Sequence, residues 1–322
     1  MANGGDLGVK SEMIGYKVLA INADGTVRTN QIQGTSGVDI KAKEFIQDGS
    51  TYTEGNLTVN ADKVTLSGTG TQADNVNITG KLDNQTNIYA KGNVAFGNDV
   101  ISTGQIVSEK GITVSGNLDT SNIVYGKEII SISGNLLNKS DMQSVGNITV
   151  GQNTTNKGKI LTDNILHING ITVNEGTLYG KNGISLQTLT NSGSTQSAGN
   201  ITAKNVINTG KVIGEGSITV LDLDNQGELI TNKLLTTNNL LNTGSLNTGE
   251  GINTNGNVVN HGELKTNGDF LILGNLNNYN LLNTGGTLST RDLINHGSLK
   301  AVDKLLTRGV TFYNQGEILT SN

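Results

Sequence analysis

The side chains best placed to do chemistry in this sequence are three histidines, a scatter of carboxylates and seven tyrosines; cysteine and tryptophan are absent. His261 and His296 each sit in the middle of an Asn-x-Gly triplet, Asn260-His261-Gly262 and Asn295-His296-Gly297. If such triplets stack on one face, the two imidazoles fall two turns apart, about 9–10 Å. That is too far to share one metal ion, whose bonds to ring nitrogen are about 2 Å long. His167 lies in a different part of its repeat. All three histidines therefore read as polar positions without a ligand role, and no metal site is assigned.

Carboxylates in general acid–base work must converge across neighbouring strands. The residues that follow each triplet glycine read Lys159, Thr177, Ser194, Lys211, Glu228, Ser245, Glu263, Leu281, Ser298 and Glu317. Acids never occupy adjacent places in that series, and Lys211 stands next to Glu228. Avoidance of like charge along a parallel ladder selects this pattern. Asp222 and Asp224 straddle Leu223 and can point the same way, but a single pair is a weak basis for catalysis. The Asp-Asp, Gly-His-Gly and Arg-Ile-Lys signatures of pectin-cleaving β-helices are missing. The sequence reads as a non-enzyme, with no catalytic or cofactor-binding residue. Calcium-binding nonapeptides repeat Gly-Gly-x-Gly-x-Asp in tandem, whereas Gly4-Gly5-Asp6-Leu7-Gly8 is one loose fragment. Sequons such as Asn56-Leu57-Thr58, Asn77-Ile78-Thr79, Asn147-Ile148-Thr149 and Asn200-Ile201-Thr202 follow from an Asn- and Thr-rich composition. Tyr125, Tyr179 and Tyr279 form no evident stripe and read as isolated surface residues.

What must position these groups is a repeat. Asn156-Lys157-Gly158, Asn174-Glu175-Gly176, Asn191-Ser192-Gly193, Asn208-Thr209-Gly210, Asn225-Gln226-Gly227 and Asn242-Thr243-Gly244 precede the two His triplets, and Asn314-Gln315-Gly316 follows them. Asn278-Tyr279-Asn280 fills the one gap. The step is mostly 17 or 18 residues, and weaker anchors at Asn138, Thr120, Ser102 and Asn84 keep 18. Laying the units over one another gives three apolar columns. The first runs Ile160, Leu178, Thr195, Val212, Leu229, Leu246, Leu264, Leu282, Leu299, Ile318. The second runs Ile165, Ile184, Ile201, Ile218, Leu234, Ile252, Phe270, Leu288, Leu305, and the third Leu189, Val206, Leu223, Leu240, Val258, Leu276, Leu293, Phe312. The columns lie about six residues apart, which a helix of 3.6-residue period does not produce. Three short strands per turn of a coil do. The fold expected is all-β, a single-stranded parallel β-helix with three strands per 17–18-residue turn. One turn cannot bury its own apolar face, so the coils must stack. Residues 71–322 are expected to form this array. Residues 1–70 are read as β-rich turns or a cap of unfixed register, with Tyr16–Asn30 a hairpin or a variant turn around Asp24-Gly25. The triplets are assigned to corners, where Asn and Gly accept left-handed backbone and stacked Asn amides can bond along the axis.

Composition agrees. Aromatics are 3%, Pro is absent and 44 residues are Gly. A ladder with almost no free edge has no place for Pro. The net charge of −5, from 22 basic and 27 acidic residues, leaves no electrostatic footprint for nucleic acid. No window approaches 18 apolar residues, so no membrane span is expected. Met1-Ala2-Asn3-Gly4-Gly5-Asp6 lacks the basic and apolar regions of a signal peptide. The ending Thr320-Ser321-Asn322 falls partway round a turn, as in a fragment of something longer.

At Leu240-Leu241-Asn242-Thr243-Gly244-Ser245-Leu246 and Leu293-Ile294-Asn295-His296-Gly297-Ser298-Leu299 the chain resembles the filamentous haemagglutinin repeats. Such repeats build the shafts of two-partner-secretion exoproteins in Gram-negative bacteria, including large adhesins and contact-dependent inhibition proteins. The likeness covers roughly residues 84–322. It implies a right-handed helix, export through an outer-membrane two-partner transporter, and adhesion at the cell surface to a receptor or glycan of a host or neighbouring cell. Two departures stand out. Family units are commonly nearer 19–20 residues, and the six-residue beat from Leu234 to Ile318 also suits a left-handed hexapeptide helix, although the small residues usual there are not kept. The expected function is thus the structural and adhesive shaft of a secreted or surface-displayed haemagglutinin-like exoprotein. One alternative is the shaft of a contact-dependent toxin-delivery exoprotein. Another, of a different class, is a carbohydrate-active β-helix enzyme, which requires three or more acids converging across adjacent turns.

Overall fold

A computed structural model describes residues 5–320, so Met1-Ala2-Asn3-Gly4 and Ser321-Asn322 lie outside it. The protein is all-β, a parallel β-solenoid in which each strand pairs in parallel with its equivalent one coil later. Among the described residues no helix is long and apolar enough to cross a membrane. Two compact units divide the chain, Met1–Asn164 and Ile165–Asn322.

In the first unit three apolar columns stack in register. Val64, Leu82, Val100, Leu118 and Leu136 form one. Val76, Val94, Ile112, Ile130 and Ile148 form the next. Thr71, Ile88, Ile106, Val124, Met142 and Ile160 form the third. Every one of these side chains is buried. The parallel ladder runs on towards the N-terminus. Leu7–Gly15 pairs with Thr26–Gly34, and Val18–Asn22 with Gly37–Lys41. Tyr16–Asn30 is therefore part of a coil and not a hairpin, because each of its strands finds its partner one coil on. These first coils are longer. Leu7 pairs with Val27, a step of 20, and Val18 with Gly37, a step of 19. Ser50 pairs with Gly70, again 20. An 18-residue template slips out of register there.

The second unit carries the same three columns. Leu178, Thr195, Val212, Leu229, Leu246, Leu264, Leu282 and Leu299 stack as expected. So do Leu189, Val206, Leu223, Leu240, Val258, Leu276 and Leu293. The remaining column differs at two places. Leu166, not Ile165, pairs with Ile184, and Leu235, not Leu234, lies between Ile218 and Ile252. Ile165 is exposed and Leu234 half-buried. Each pair is two adjacent aliphatics, so strand register rather than hydrophobicity decides which one faces inward. Phe312 pairs with Leu293 as the column requires, yet it is exposed, and Ile318 and Leu305 are half-buried. No described coil packs on their far side. Between Ile165 and Asn225 the second and third strands fuse into single strands such as Ile165–Asn174 and Gly183–Asn191. The first bends through an irregularity between Ile168 and Ile171.

The core is more polar than three apolar columns suggest. Strands turn two side chains inward, and in many of them an aliphatic is followed, two residues on, by an amide or hydroxyl at the corner, although others, such as Ile112 with Val114 and Phe270 with Ile272, bury two apolar side chains. Leu240 and Asn242, Leu246 and Thr248, and Ile252 and Thr254 are pairs of the first kind, all buried. The triplet asparagines bond up the axis from Asn174 to Asn314. Each Nδ2 donates to the next Oδ1 at 2.7–2.8 Å, through Asn191, Asn208, Asn225, Asn242, Asn260, Asn278 and Asn295. In the first unit Asn138 donates to Asn156 at 2.8 Å, but Thr120 occupies the place below and turns its hydroxyl to the Asn122 carbonyl. Asn138 Oδ1 is left without a donor.

The triplet glycines are not left-handed. Among the described residues only Gly5, Gly37 and Gly183 have positive φ. The reason for glycine is close stacking: a Cβ on Gly210 or Gly227 would lie 2.2 Å from the carbonyl oxygen one coil below.

Phe270 is a fully buried ring between Ile252 and Leu288. Phe270→Ala is expected to cost about 3–5 kcal/mol. The urea midpoint measures the loss, and hydrogen exchange should show it centred on Gly251–Thr254 and Leu288–Thr290, the strands flanking the cavity.

Candidate functional site on the second unit

The outward residues on either side of the buried Asn column make the most featured face of the second unit. Inward positions are fixed by the core, so their neighbours at odd spacing must point out. Three residues before the triplet Asn stand Asn205, Asp222, Asn239 and Asn257, and one residue before it Ile207, Asp224, Leu241 and Val259. The strand register puts each series in line on adjacent coils.

These eight residues, with Val206, Leu223 and Leu240 beneath, line a shallow groove of about 460 Å³ whose floor is mostly apolar. Ile207 and Leu241 are exposed, at 44% and 38%. Asp222 and Asp224 do point the same way, into this groove, as their straddling of buried Leu223 implied. Asp222 Oδ1 accepts Asn239 Nδ2 at 2.8 Å, and Asp224 Oδ2 accepts Gln226 Nε2 at 2.9 Å. Asp224 Oδ1 is shielded from solvent and has no hydrogen-bond donor. Neither carboxylate is ion-paired among the described residues, although Lys204 precedes the groove by one residue in sequence. The lining holds two acids, where the carbohydrate-enzyme alternative asks for three.

The amide row runs through the groove and on beyond it. Asn257 N donates to Asn239 Oδ1 at 3.2 Å and Asn275 N to Asn257 Oδ1 at 3.0 Å. At Asp292 the carboxyl is held below the usual carboxylate range. The main cause is the bond it accepts from Thr311 N, with Arg291 adding and some burial opposing.

One residue after the triplet Asn, the structure corrects the reading of the rings. His261, Tyr279 and His296 are not isolated but stack face to face on successive coils. Ring centroids are 4.4 and 5.2 Å apart and the planes within 5° and 3° of parallel. Tyr313 meets His296 edge-on at 5.6 Å. The signal was present in the sequence, since Tyr279 is the middle residue of the degenerate triplet lying between the two His triplets. The two imidazoles are two turns apart, as expected, with a phenol ring between them. Stacking hides the ring faces against one another and presents edges to solvent.

The other candidate residues are not gathered into this face. His167 lies in strand Ile165–Asn174, opposite Ser185. Lys211 pairs with Glu228 at 3.0 Å, and Glu263 with Lys265 of its own strand, so the series after the triplet glycine alternates or neutralises its charges. Tyr179 faces Gln196 on the next coil, and in the first unit Tyr125 lies between Val107 and Gln143. Among the described residues no three His, Asp or Glu side chains group as a metal site. No protein-family model, no curated protein and no solved structure matches the chain.

Proposed function

We propose that this protein is the structural and adhesive shaft of a secreted or surface-displayed exoprotein, of the filamentous haemagglutinin kind exported by a two-partner outer-membrane transporter in Gram-negative bacteria. A β-solenoid is compatible with a structural or adhesive role, and the reading rests on one observation. In the second unit a single uninterrupted chain of amides, buried from Asn174 to Asn295, links successive coils at 2.7–2.8 Å. Such a chain suits a scaffold, because each coil is held chiefly by its neighbours and length can be added without a new core. Coils of 19–20 residues at the start of the first unit also support the family reading, since that length is the commoner one among the repeats it resembles. Absence of Cys and Pro removes disulfide formation and prolyl isomerisation as slow steps after export as an unfolded chain.

The test has two arms. Intact source cells, labelled with antibody to the purified protein, should stain at the surface and lose the stain on protease treatment. Beads coated with the protein should adhere to epithelial or neighbouring bacterial cells several-fold more than albumin-coated beads. Protease-protected protein inside the cell, or adherence no better than albumin, rejects the proposal.

A further inference from the structure

The groove over Asn205–Val259 has a chemistry that the shaft does not need. A structural face gains from paired charges, as at Lys211–Glu228. Here two half-buried carboxylates stand two residues apart on one strand with no ion-pairing cation among the described residues, beside exposed Ile207 and Leu241 and half-buried Val259. The bare groove thus offers unpaired negative charge beside uncovered apolar surface. We propose that it docks a basic, leucine-rich segment of a partner protein, a binding surface that goes beyond the shaft's structural role.

The assignment follows from complementarity. Asp222 Oδ2 remains as an acceptor once Asn239 has taken Oδ1, and Asp224 Oδ2 can accept a second bond beside the one from Gln226, whereas Asp224 Oδ1 is shielded from solvent. Residues two apart on a strand are about 6.5–7 Å apart, a gap that a planar guanidinium with several N–H donors can bridge. The methylenes of an Arg or Lys stem, or a neighbouring Leu, then cover Ile207, Leu241 and Val259. Four adjacent coils span about 14 Å, the length of roughly four extended residues. A second copy of the chain fits less well, because each copy carries net charge −5 and presents the same carboxylates. A neutral glycan fits less well too. Sugars stack on exposed aromatic faces, whereas the groove has no ring and the His261–Tyr279–His296 stack covers its own faces.

The probe is a fluorescein-labelled nine-residue peptide alternating Arg and Leu, followed by fluorescence anisotropy with the full chain. Saturable binding is expected, with hydrogen-exchange protection confined to residues 205–259. Asp222→Asn with Asp224→Asn keeps the acceptor oxygens that hold Asn239 and Gln226, so the fold should melt unchanged while affinity falls at least tenfold. Asp39→Asn with Glu54→Gln removes the same charge from exposed positions of the first unit and should change affinity less than twofold. Equal losses in the two double variants would show bulk charge attraction and overturn the proposal. So would protection elsewhere on the chain, or a Glu-Leu peptide or a cello-oligosaccharide binding the groove more tightly. Bead adherence is scored separately, so an inert groove on an adhesive protein rejects this surface alone.

Discussion

Asn225→Asp should destabilise the second unit by about 5 kcal/mol at neutral pH. Asn225 is fully buried. Its Nδ2 donates to Asn242 Oδ1 at 2.8 Å, to the Ser245 carbonyl at 3.0 Å and to the Gly227 carbonyl at 3.3 Å, while its Oδ1 accepts Asn208 Nδ2 at 2.8 Å. Aspartate keeps the acceptor and loses the donor, so a buried oxygen faces three others. Desolvation and those neighbouring acceptors both favour its neutral form, which raises its folded-state pKa above the unfolded value of about 3.9. A raised carboxyl pKa makes the defect smallest below the unfolded value. The defect grows as pH climbs from there to the folded value and is constant above it. Urea titrations at pH 4 and pH 8 check both size and sign. Equal losses at the two pH values would mean that the site is open to water.

Gly244→Ala should cost about 3 kcal/mol, an overpacking effect at the upper end of its usual range. The new methyl would lie 2.1 Å from the Gly227 carbonyl oxygen, which cannot swing away because it belongs to the ladder. Gly70→Ala is the control, since the nearest atom to its added Cβ is 3.6 Å away. That variant should stay within about 0.5 kcal/mol of the parent. If the two substitutions cost the same, backbone flexibility and not coil spacing is what these glycines supply.

The glycines also show where the sequence was readable and where it was not. Their spacing announced a corner, but spacing cannot separate a positive φ from a close approach, and the backbone chose the second. Column membership was legible wherever a single aliphatic stood between polar residues, as at Leu246 or Leu264. It failed at Ile165-Leu166 and Leu234-Leu235, where two aliphatics competed and only the pairing of the neighbouring coil could choose. The coils before residue 70 were illegible at a fixed period because they are one or two residues longer. The face over Asp222 and Asp224 was half legible. Alternation put both carboxylates outward, but the apolar cover that Ile207, Leu241 and Val259 lend them comes from other coils, one coil from Asp224 for Ile207 and Leu241 and two for Val259. The His–Tyr–His stack could have been read from the triplets alone.

In the amide column every bond runs the same way, from the Nδ2 of an earlier asparagine to the Oδ1 of a later one. The small dipoles therefore add head to tail, as peptide dipoles do in a helix, and polarise one another. One side chain turned end over end would set donor against donor on one side and acceptor against acceptor on the other. The column thus has a sense as well as a position. A turn joining the growing stack meets a preset polarity, and its own amide orientation is dictated before its aliphatic side chains have packed.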